Sequence, residues 1–125
     1  GGKLTPLKVS APFHCALMRP AALRLAPELA RTTVRAFAFP VVANVDAEPN
    51  ADPARVAELL TRQIDAPVQW VKIIERLAAE GVTKALEIGP GKVLADLVKR
   101  IDKRVQVLNV SDAEGIEKVA GFLAS

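Results

Sequence analysis

His14 has the clearest chemical potential in this 125-residue chain, because it is the only histidine. Imidazole is the side chain that takes up and returns a proton most readily near neutral pH, which suits it to general acid and base work. The residue follows a short apolar segment and precedes a segment with helical spacing, the kind of element end at which catalytic groups are presented. The sequence therefore offers a candidate general base.

The sequence contains no recognisable nucleophile motif to accompany this base. The serines are Ser10, Ser111 and Ser125, and none lies in the G-x-S-x-G turn that presents a serine nucleophile. Cys15 follows the histidine directly, but adjacent residues in a turn rarely point at each other, so we reject Cys15 as the nucleophile. The sequence thus presents a candidate general base without its nucleophile.

The elements that must position His14 alternate between strands and helices. Short apolar segments predict strands at 4–9, 39–45, 83–88 and 105–110, with a loop at 46–52. Apolar residues at helical spacing predict helices at 16–31, 53–63 and 67–81. A further helix should follow the turn at 89–91, and a final one should follow the segment 111–114. This alternation predicts an α/β fold of three layers, in which helices cover both faces of a mostly parallel sheet.

Each predicted helix has an apolar stripe that should face the core. The side chains predicted to face inward include Leu59, Leu60, Val71, Ile74, Val93, Leu94, Leu97, Val98, Ile116 and Leu123. Because the stripes lie on one side of each helix, they indicate packing against a sheet rather than burial on all sides.

Capping residues and prolines predict where these helices begin or bend. Asp52 followed by proline is typical of a helix start, and Ser111 with Glu114 three residues later is typical of a capping box. Pro27 falls inside the first predicted helix, where it removes a backbone hydrogen bond at a cost of about 3 kcal/mol. We therefore expect a kink or break at Pro27.

Gly89-Pro90-Gly91-Lys92 follows a predicted strand and allows two interpretations. It could cradle a phosphate, or it could form a tight turn from the strand into the next helix. The segment lacks both the dinucleotide-binding spacing and the lysine-serine pair of a nucleotide-binding loop, so a structural turn is favoured.

Composition excludes several classes of protein. With one cysteine the chain forms neither an intramolecular disulfide nor a multi-cysteine metal site. No apolar run approaches the roughly 18 residues of a membrane span and no secretory signal is visible, so we expect a cytoplasmic protein without a membrane partner. The net charge of +3 comes without a dense basic face or interleaved aromatic residues, which argues against nucleic acid as a partner.

Four stretches of the chain together resemble the malonyl-CoA:acyl-carrier-protein transacylases of fatty-acid synthesis. They are V-S-A-P-F-H-C-A-L-M at 9–18, F-P-V-V-A-N-V-D at 39–46, R-Q-I-D-A-P-V-Q-W at 62–70 and L-E-I-G-P-G-K-V-L at 86–94. They follow one another in the family's order over nearly the whole chain. The combination is therefore far more specific than any single motif.

The resemblance implies that the chain is the C-terminal part of such an enzyme. Residues 1–9 would end its ferredoxin-like small subdomain, and residues 10–125 would form the C-terminal part of its α/β-hydrolase-like large subdomain. In the family, a serine in a G-H-S-x-G turn and an arginine that binds the malonyl carboxylate both precede the histidine. We therefore expect this chain to be inactive alone, and to bind the missing N-terminal part or to self-associate through exposed sheet edges.

The resemblance also implies a reaction. Malonyl would pass from coenzyme A to a serine ester and then to the phosphopantetheine thiol of acyl carrier protein, without a metal or other cofactor. His14 would be the general base, and the main-chain carbonyl of Gln63 would orient its ring in place of the carboxylate of a Ser-His-Asp triad. Asn44 would support the same loop, or would serve only in a structural turn.

Phe13 and a basic cluster are two further candidates. Phe13 would favour malonyl over the bulkier methylmalonyl by steric exclusion, or would simply pack under the loop. Lys99, Arg100, Lys103 and Arg104 gather near one helix end, where they suit the helix dipole and could also dock the acidic carrier protein.

Two alternative functions remain open from the sequence. One is the acyltransferase domain of a polyketide synthase or a multifunctional fatty-acid synthase. The other belongs to a different class, a non-catalytic α/β interaction module that inherited this part of the fold.

Overall fold

Residues 11–125 are described by the computed structural model, and they divide into two units between Gln69 and Trp70. The strand predicted at 4–9, the subdomain predicted at 1–9 and Ser10 lie outside the described residues. The subdomain boundary at residue 10 therefore stays a prediction.

In its described part, residues 11–69, the first unit contains two helices and one short pair of strands. Its elements are a 3₁₀ turn Ala16–Met18, α1 Arg19–Ala30, β1 Val41–Val42, β2 Pro49–Asn50, a 3₁₀ turn Pro53–Arg55 and α2 Val56–Arg62. The two helices contact each other, and each has one buried residue, Ala22 in α1 and Leu59 in α2. Asp52 begins the second helical segment by accepting a hydrogen bond from the Ala54 N–H at 2.9 Å, as the sequence predicts.

Helix α1 continues without a break through Pro27, so the predicted break is wrong. Pro27 lies on the exposed side of the helix. Water can therefore hydrate the backbone carbonyl that the proline leaves without an N–H partner, which reduces the cost of placing it there.

The strand predicted at 39–45 is mostly absent, and the predicted loop 46–52 contributes the strand that pairs with what remains. β1 pairs with β2 in antiparallel register, Val41 opposite Asn50. The chain turns between them because the Ala47 N–H donates to the Ala43 carbonyl at 3.2 Å. An apolar segment that turns back on itself cannot continue as a long buried strand, so the strand predicted over 39–45 is wrong except at 41–42.

The second unit alternates strands and helices in a regular way. Its elements are α3 Trp70–Ala79, β3 Lys84–Ile88, α4 Val93–Ile101, β4 Gln106–Val110 and α5 Ala113–Ala124. β3 and β4 are parallel, with Lys84 opposite Gln106 and Ile88 opposite Val110, and α4 connects them. This unit confirms the α/β class and the parallel pairing.

In the described residues, the strands of the predicted mostly parallel sheet form one antiparallel pair and one parallel pair. Leu59, Ile74 and Val98 are buried, as predicted. Other residues of the predicted stripes are exposed, contrary to the prediction, by fractions that range from 36% at Leu60 to 68% at Val93: Leu60, Val71, Val93, Leu94, Leu97, Ile116 and Leu123. Two strands offer too narrow a surface to cover the apolar faces of several helices, which explains the difference.

The turn between β3 and α4 is built around Glu87. Its carboxylate accepts hydrogen bonds from the Leu94 and Ala95 N–H groups, each at 3.0 Å, and so caps the first turn of α4. Gly89 and Gly91 have φ angles of 133° and 85°, which only glycine adopts easily. A carboxylate already occupies the amides that a phosphate would need, so the turn is structural.

Helix α5 begins differently from the prediction. Its N-cap is Asp112, which accepts a hydrogen bond from the Gly115 N–H at 2.9 Å, and the predicted cap Ser111 lies one residue earlier. Gly115 is buried against β4, where an added Cβ would lie 3.1 Å from the Val110 Cα. Asp112 therefore caps α5 where the helix lies close to β4, and the prediction of Ser111 as the N-cap is wrong.

Candidate functional site

His14 has an unusual backbone conformation. Its φ angle is 57°, in the left-handed region, which costs a non-glycine residue about 1–2 kcal/mol. It lies in a tight turn in which the Phe13 N–H donates to the Ala11 carbonyl at 3.0 Å, and a 3₁₀ turn starts two residues later. Backbone strain of this kind clusters at functional sites.

The ring of His14 is held by a main-chain group far along the sequence. Its Nδ1 lies 2.9 Å from the carbonyl oxygen of Gln63. Gln63 is the C-cap of α2, and the last carbonyls of a helix have no intrahelical partner, so this one is free to accept. A carbonyl only accepts, so this hydrogen bond requires a ring form that carries a proton on Nδ1; if that ring is neutral, its lone pair lies on Nε2.

The loop 64–69 that follows Gln63 is held by two hydrogen bonds to earlier parts of the first unit. The Gln69 N–H donates to the Asn44 carbonyl at 2.8 Å, and Arg19 Nη1 donates to Asp65 Oδ2 at 3.0 Å. Asn44 thus contacts this loop through its main chain. The pair of Arg19 and Asp65 is absent from the sequence predictions, because two opposite charges 46 residues apart carry no local signal.

The two neighbours of His14 differ in their surroundings. The Cys15 thiol donates to the Pro12 carbonyl at 3.1 Å, within its own turn, which agrees with rejecting it as a nucleophile. The Phe13 side chain is 60% exposed, so the alternative that it packs under the loop is wrong.

The predicted basic cluster lies in the second unit. Arg104 forms an ion pair with Asp102, whereas Lys99 and Lys103 line an open groove with Asp96 and Gln106. Across residues 11–125, no group of three or more histidine, cysteine, aspartate or glutamate side chains is placed to hold a metal ion. In the same range, no helix has the length and apolar character needed to cross a membrane.

Comparison with known proteins adds evidence of descent. No protein-family model matches the chain. The malonyl CoA-acyl carrier protein transacylase of Salmonella typhimurium is 54% identical over 96 residues, which are 77% of this chain and 31% of that protein. The chain belongs to this family. It spans about a third of the length of such relatives and corresponds to their C-terminal part.

Solved structures of transacylases agree with this assignment. An acyl carrier protein S-malonyltransferase from Vibrio cholerae is similar with a TM-score of 0.84 and 45% identity, over 91% of this chain and 37% of that one. A malonyl-transacylase solved in complex with a type II polyketide synthase acyl-carrier protein has a TM-score of 0.86 and 38% identity, over 96% of this chain and 38% of that one. This chain therefore has the same fold as the matching part of each of the two solved transacylases.

Within this transacylase portion, the structure brings two of the four predicted site residues into direct contact, His14 and Gln63. Asn44 is linked to them through the loop, and Phe13 adjoins the histidine. The roles assigned to these residues stay predictions.

Proposed function

We propose that this chain supplies the general base of a malonyltransferase, with His14 as the base and the Gln63 carbonyl as the group that orients it. The observation that supports this most strongly is the 2.9 Å contact between Nδ1 and that carbonyl. When a neutral ring donates its Nδ1 proton to this carbonyl, the lone pair lies on Nε2 of an exposed side chain, and a serine hydroxyl needs an acceptor of this kind before it can attack.

In this proposal, malonyl is transferred twice, first to the serine and then to the carrier-protein thiol. Nε2 takes the serine hydroxyl proton as the oxygen attacks the thioester carbonyl of malonyl-CoA, and it returns that proton to the departing coenzyme A thiol. The phosphopantetheine thiol of acyl carrier protein next gives its proton to Nε2 and attacks the serine ester. The proton finally returns to the serine oxygen, so the reaction uses no metal or redox cofactor.

The nucleophilic serine and the arginine for the malonyl carboxylate come, in this proposal, from the N-terminal part of the same enzyme in the cytoplasm. That part would complete a three-layer, α/β-hydrolase-like large subdomain. Exposed apolar side chains support a covering partner, since Ile88 of β3 is 80% exposed and Ile116 of α5 is 66% exposed. Self-association of the isolated chain is the alternative way to cover them.

Acyl carrier protein is the proposed acceptor. Two observations support it: the relatives are named for transfer to acyl carrier protein, and one similar malonyl-transacylase was solved with a carrier protein bound. On this chain, Lys99 and Lys103 offer positive charge at the groove beside α4.

Phe13 is the proposed selectivity residue. It immediately precedes His14 in sequence and has an exposed ring, so it is available to contact the substrate beside the reacting carbonyl. A bulky ring there would exclude the extra methyl group of methylmalonyl.

The test is malonyl transfer to acyl carrier protein by the complete enzyme. His14→Ala should lower kcat/KM by about 10²–10⁴-fold, because a positioned base is lost. Gln63→Ala is the matched control, since it keeps the main-chain carbonyl, and it should change kcat/KM less than about threefold. Phe13→Ser should raise the preference for methylmalonyl-CoA over malonyl-CoA by about tenfold or more.

Three results would contradict the proposal. Unchanged transfer by His14→Ala would show that His14 is not the general base. A loss in Gln63→Ala as large as that in His14→Ala would show that the Gln63 side chain, and not its main-chain carbonyl alone, supports the reaction. The purified 125-residue chain should transfer no malonyl, so transfer by that chain above its own His14→Ala variant overturns the division of the active site.

A further inference from the structure

Two side-chain contacts join the segment 14–19 to the segment 63–65 at the end of α2. The first is the bond from His14 Nδ1 to the Gln63 carbonyl, and the second is the ion pair of Arg19 and Asp65 at 3.0 Å. Arg19 is the first residue of α1, five positions after His14, and Asp65 follows Gln63 by two positions. The ion pair and the histidine contact therefore connect the same two short segments.

We propose that Arg19 and Asp65 are a positioning pair that keeps Nδ1 of His14 on the Gln63 carbonyl. The proposal rests on the function proposed above for His14, and adds two residues that do not touch the substrate. They act through the loop whose first carbonyl orients the ring.

Burial indicates that the Asp65 carboxylate depends on this partner. Its side chain is 13% exposed, whereas that of Arg19 is 69% exposed. A carboxylate that is largely withdrawn from water needs a charged or hydrogen-bonding partner, and the guanidinium supplies both. The loop is thus drawn toward the start of α1.

His14 needs such support for two reasons. Its left-handed backbone is unfavourable for a residue with a Cβ, so local preference works against the observed turn. Its bond to Gln63 lies at the surface, where water competes for both the imidazole and the carbonyl. The far end of the loop is fixed by Gln69 and Asn44, which leaves the ion pair as the link nearest the histidine.

The experiment measures the tautomer of His14 in this chain by ¹⁵N NMR of its imidazole, whose signals are unambiguous because it is the only histidine. Asp65→Asn and Arg19→Met should each lower the ratio of the Nδ1–H to the Nε2–H tautomer by about threefold. Glu28→Gln is the matched control. It removes the same charge from the ion pair of Glu28 with Arg31 in α1 and should leave the ratio unchanged.

The charge exchange Arg19→Asp with Asp65→Arg should restore much of the original ratio, which a purely local effect of either substitution would not do. Circular dichroism verifies folding. If Asp65→Asn unfolds the chain, the exposed Arg19→Met decides the question alone.

The outcomes separate the two proposals. If the unmodified chain lacks the Nδ1–H tautomer, the orientation of the base by Gln63 is wrong, and the positioning pair fails with it. If the unmodified chain has that tautomer but Asp65→Asn and Arg19→Met match Glu28→Gln, the positioning pair alone is overturned.

Discussion

The two units hold their polar groups in place over different distances along the chain. In the first unit, the contacts around the candidate site join residues 49 and 46 positions apart, His14 to Gln63 and Arg19 to Asp65. In the second unit, Glu87 caps a helix that starts within eight residues of it. The first site thus depends on how helices pack, whereas the second turn forms from one continuous stretch of chain.

The two units also differ in backbone strain. Among the described residues, the non-glycine residues with positive φ are His14 and Ala47, both in the first unit. The glycines with positive φ, Gly81, Gly89 and Gly91, all lie in the second unit. Glycine adopts these conformations at little steric cost, so the second unit makes its turns without strain, whereas the first retains strain at its candidate base.

The largest predicted effect tests the local character of the second unit. Glu87→Ala should lower the free energy of unfolding by about 1–3 kcal/mol, because two N–H groups of α4 lose a charged acceptor. Glu117→Ala, on the exposed side of α5, is the control and should stay within about 0.5 kcal/mol. Urea unfolding measures both, and equal effects would show that the cap contributes nothing.

A smaller effect tests the strain in the first unit. Asparagine visits the left-handed region more readily than alanine, so His14→Asn should be more stable than His14→Ala by about 0.5–1 kcal/mol, although both lose the imidazole. The same pair of substitutions at Arg24, inside α1, should show the opposite order because alanine is the better helix former. Thermal unfolding measures the order, and a preference for alanine at both positions would contradict the strain.

The smallest effect is a local titration in the second unit. The side-chain hydrogen bond from Arg104, together with its backbone N–H, lowers the pKa of Asp102 from 3.8 to about 2. Arg104→Met should raise that pKa toward its ordinary value, though the backbone bond keeps part of the shift. NMR titration of the Asp102 carboxyl measures the change.

Because the pKa of Asp102 is lower in the folded chain, its effect on stability depends on pH in a defined direction. The contribution of Asp102 to stability is present above the unfolded value near 3.8, and it is lost as the pH falls toward 2. In Arg104→Met, the pH range over which this stability is lost should become narrower, because the folded-state pKa of Asp102 lies closer to its unfolded value. An unchanged Asp102 titration in that variant would mean that the guanidinium has no part in the shift.

Much of the second unit could be predicted from the sequence. β3 and β4 each begin within one residue of their predicted starts and end where predicted, and the glycine turn leads into α4. These elements follow from apolar spacing and from turn residues close together in sequence. Which apolar residues are buried could not be predicted in the same way, since Val93 and Ile116 lie on the predicted stripes and are exposed.

The first unit was harder to predict. An apolar segment at 39–45 indicates a buried strand equally well whether the chain continues or turns, and the turn at Ala47 has no glycine to mark it. Pro27 was expected to break a helix, but its exposed position reduces the cost. In both cases the outcome depends on what surrounds the segment, which local spacing does not contain.

By itself, the sequence determined the family, through four motifs in order, and the identity of the one candidate base. The tertiary structure decided the left-handed backbone of His14, the contact of Nδ1 with Gln63 and the ion pair of Arg19 with Asp65. The physical reason is that every residue type carries the same main-chain carbonyl. Residue identity therefore cannot show which carbonyl meets the imidazole, and only the end of α2 and its packing against α1 place Gln63 there.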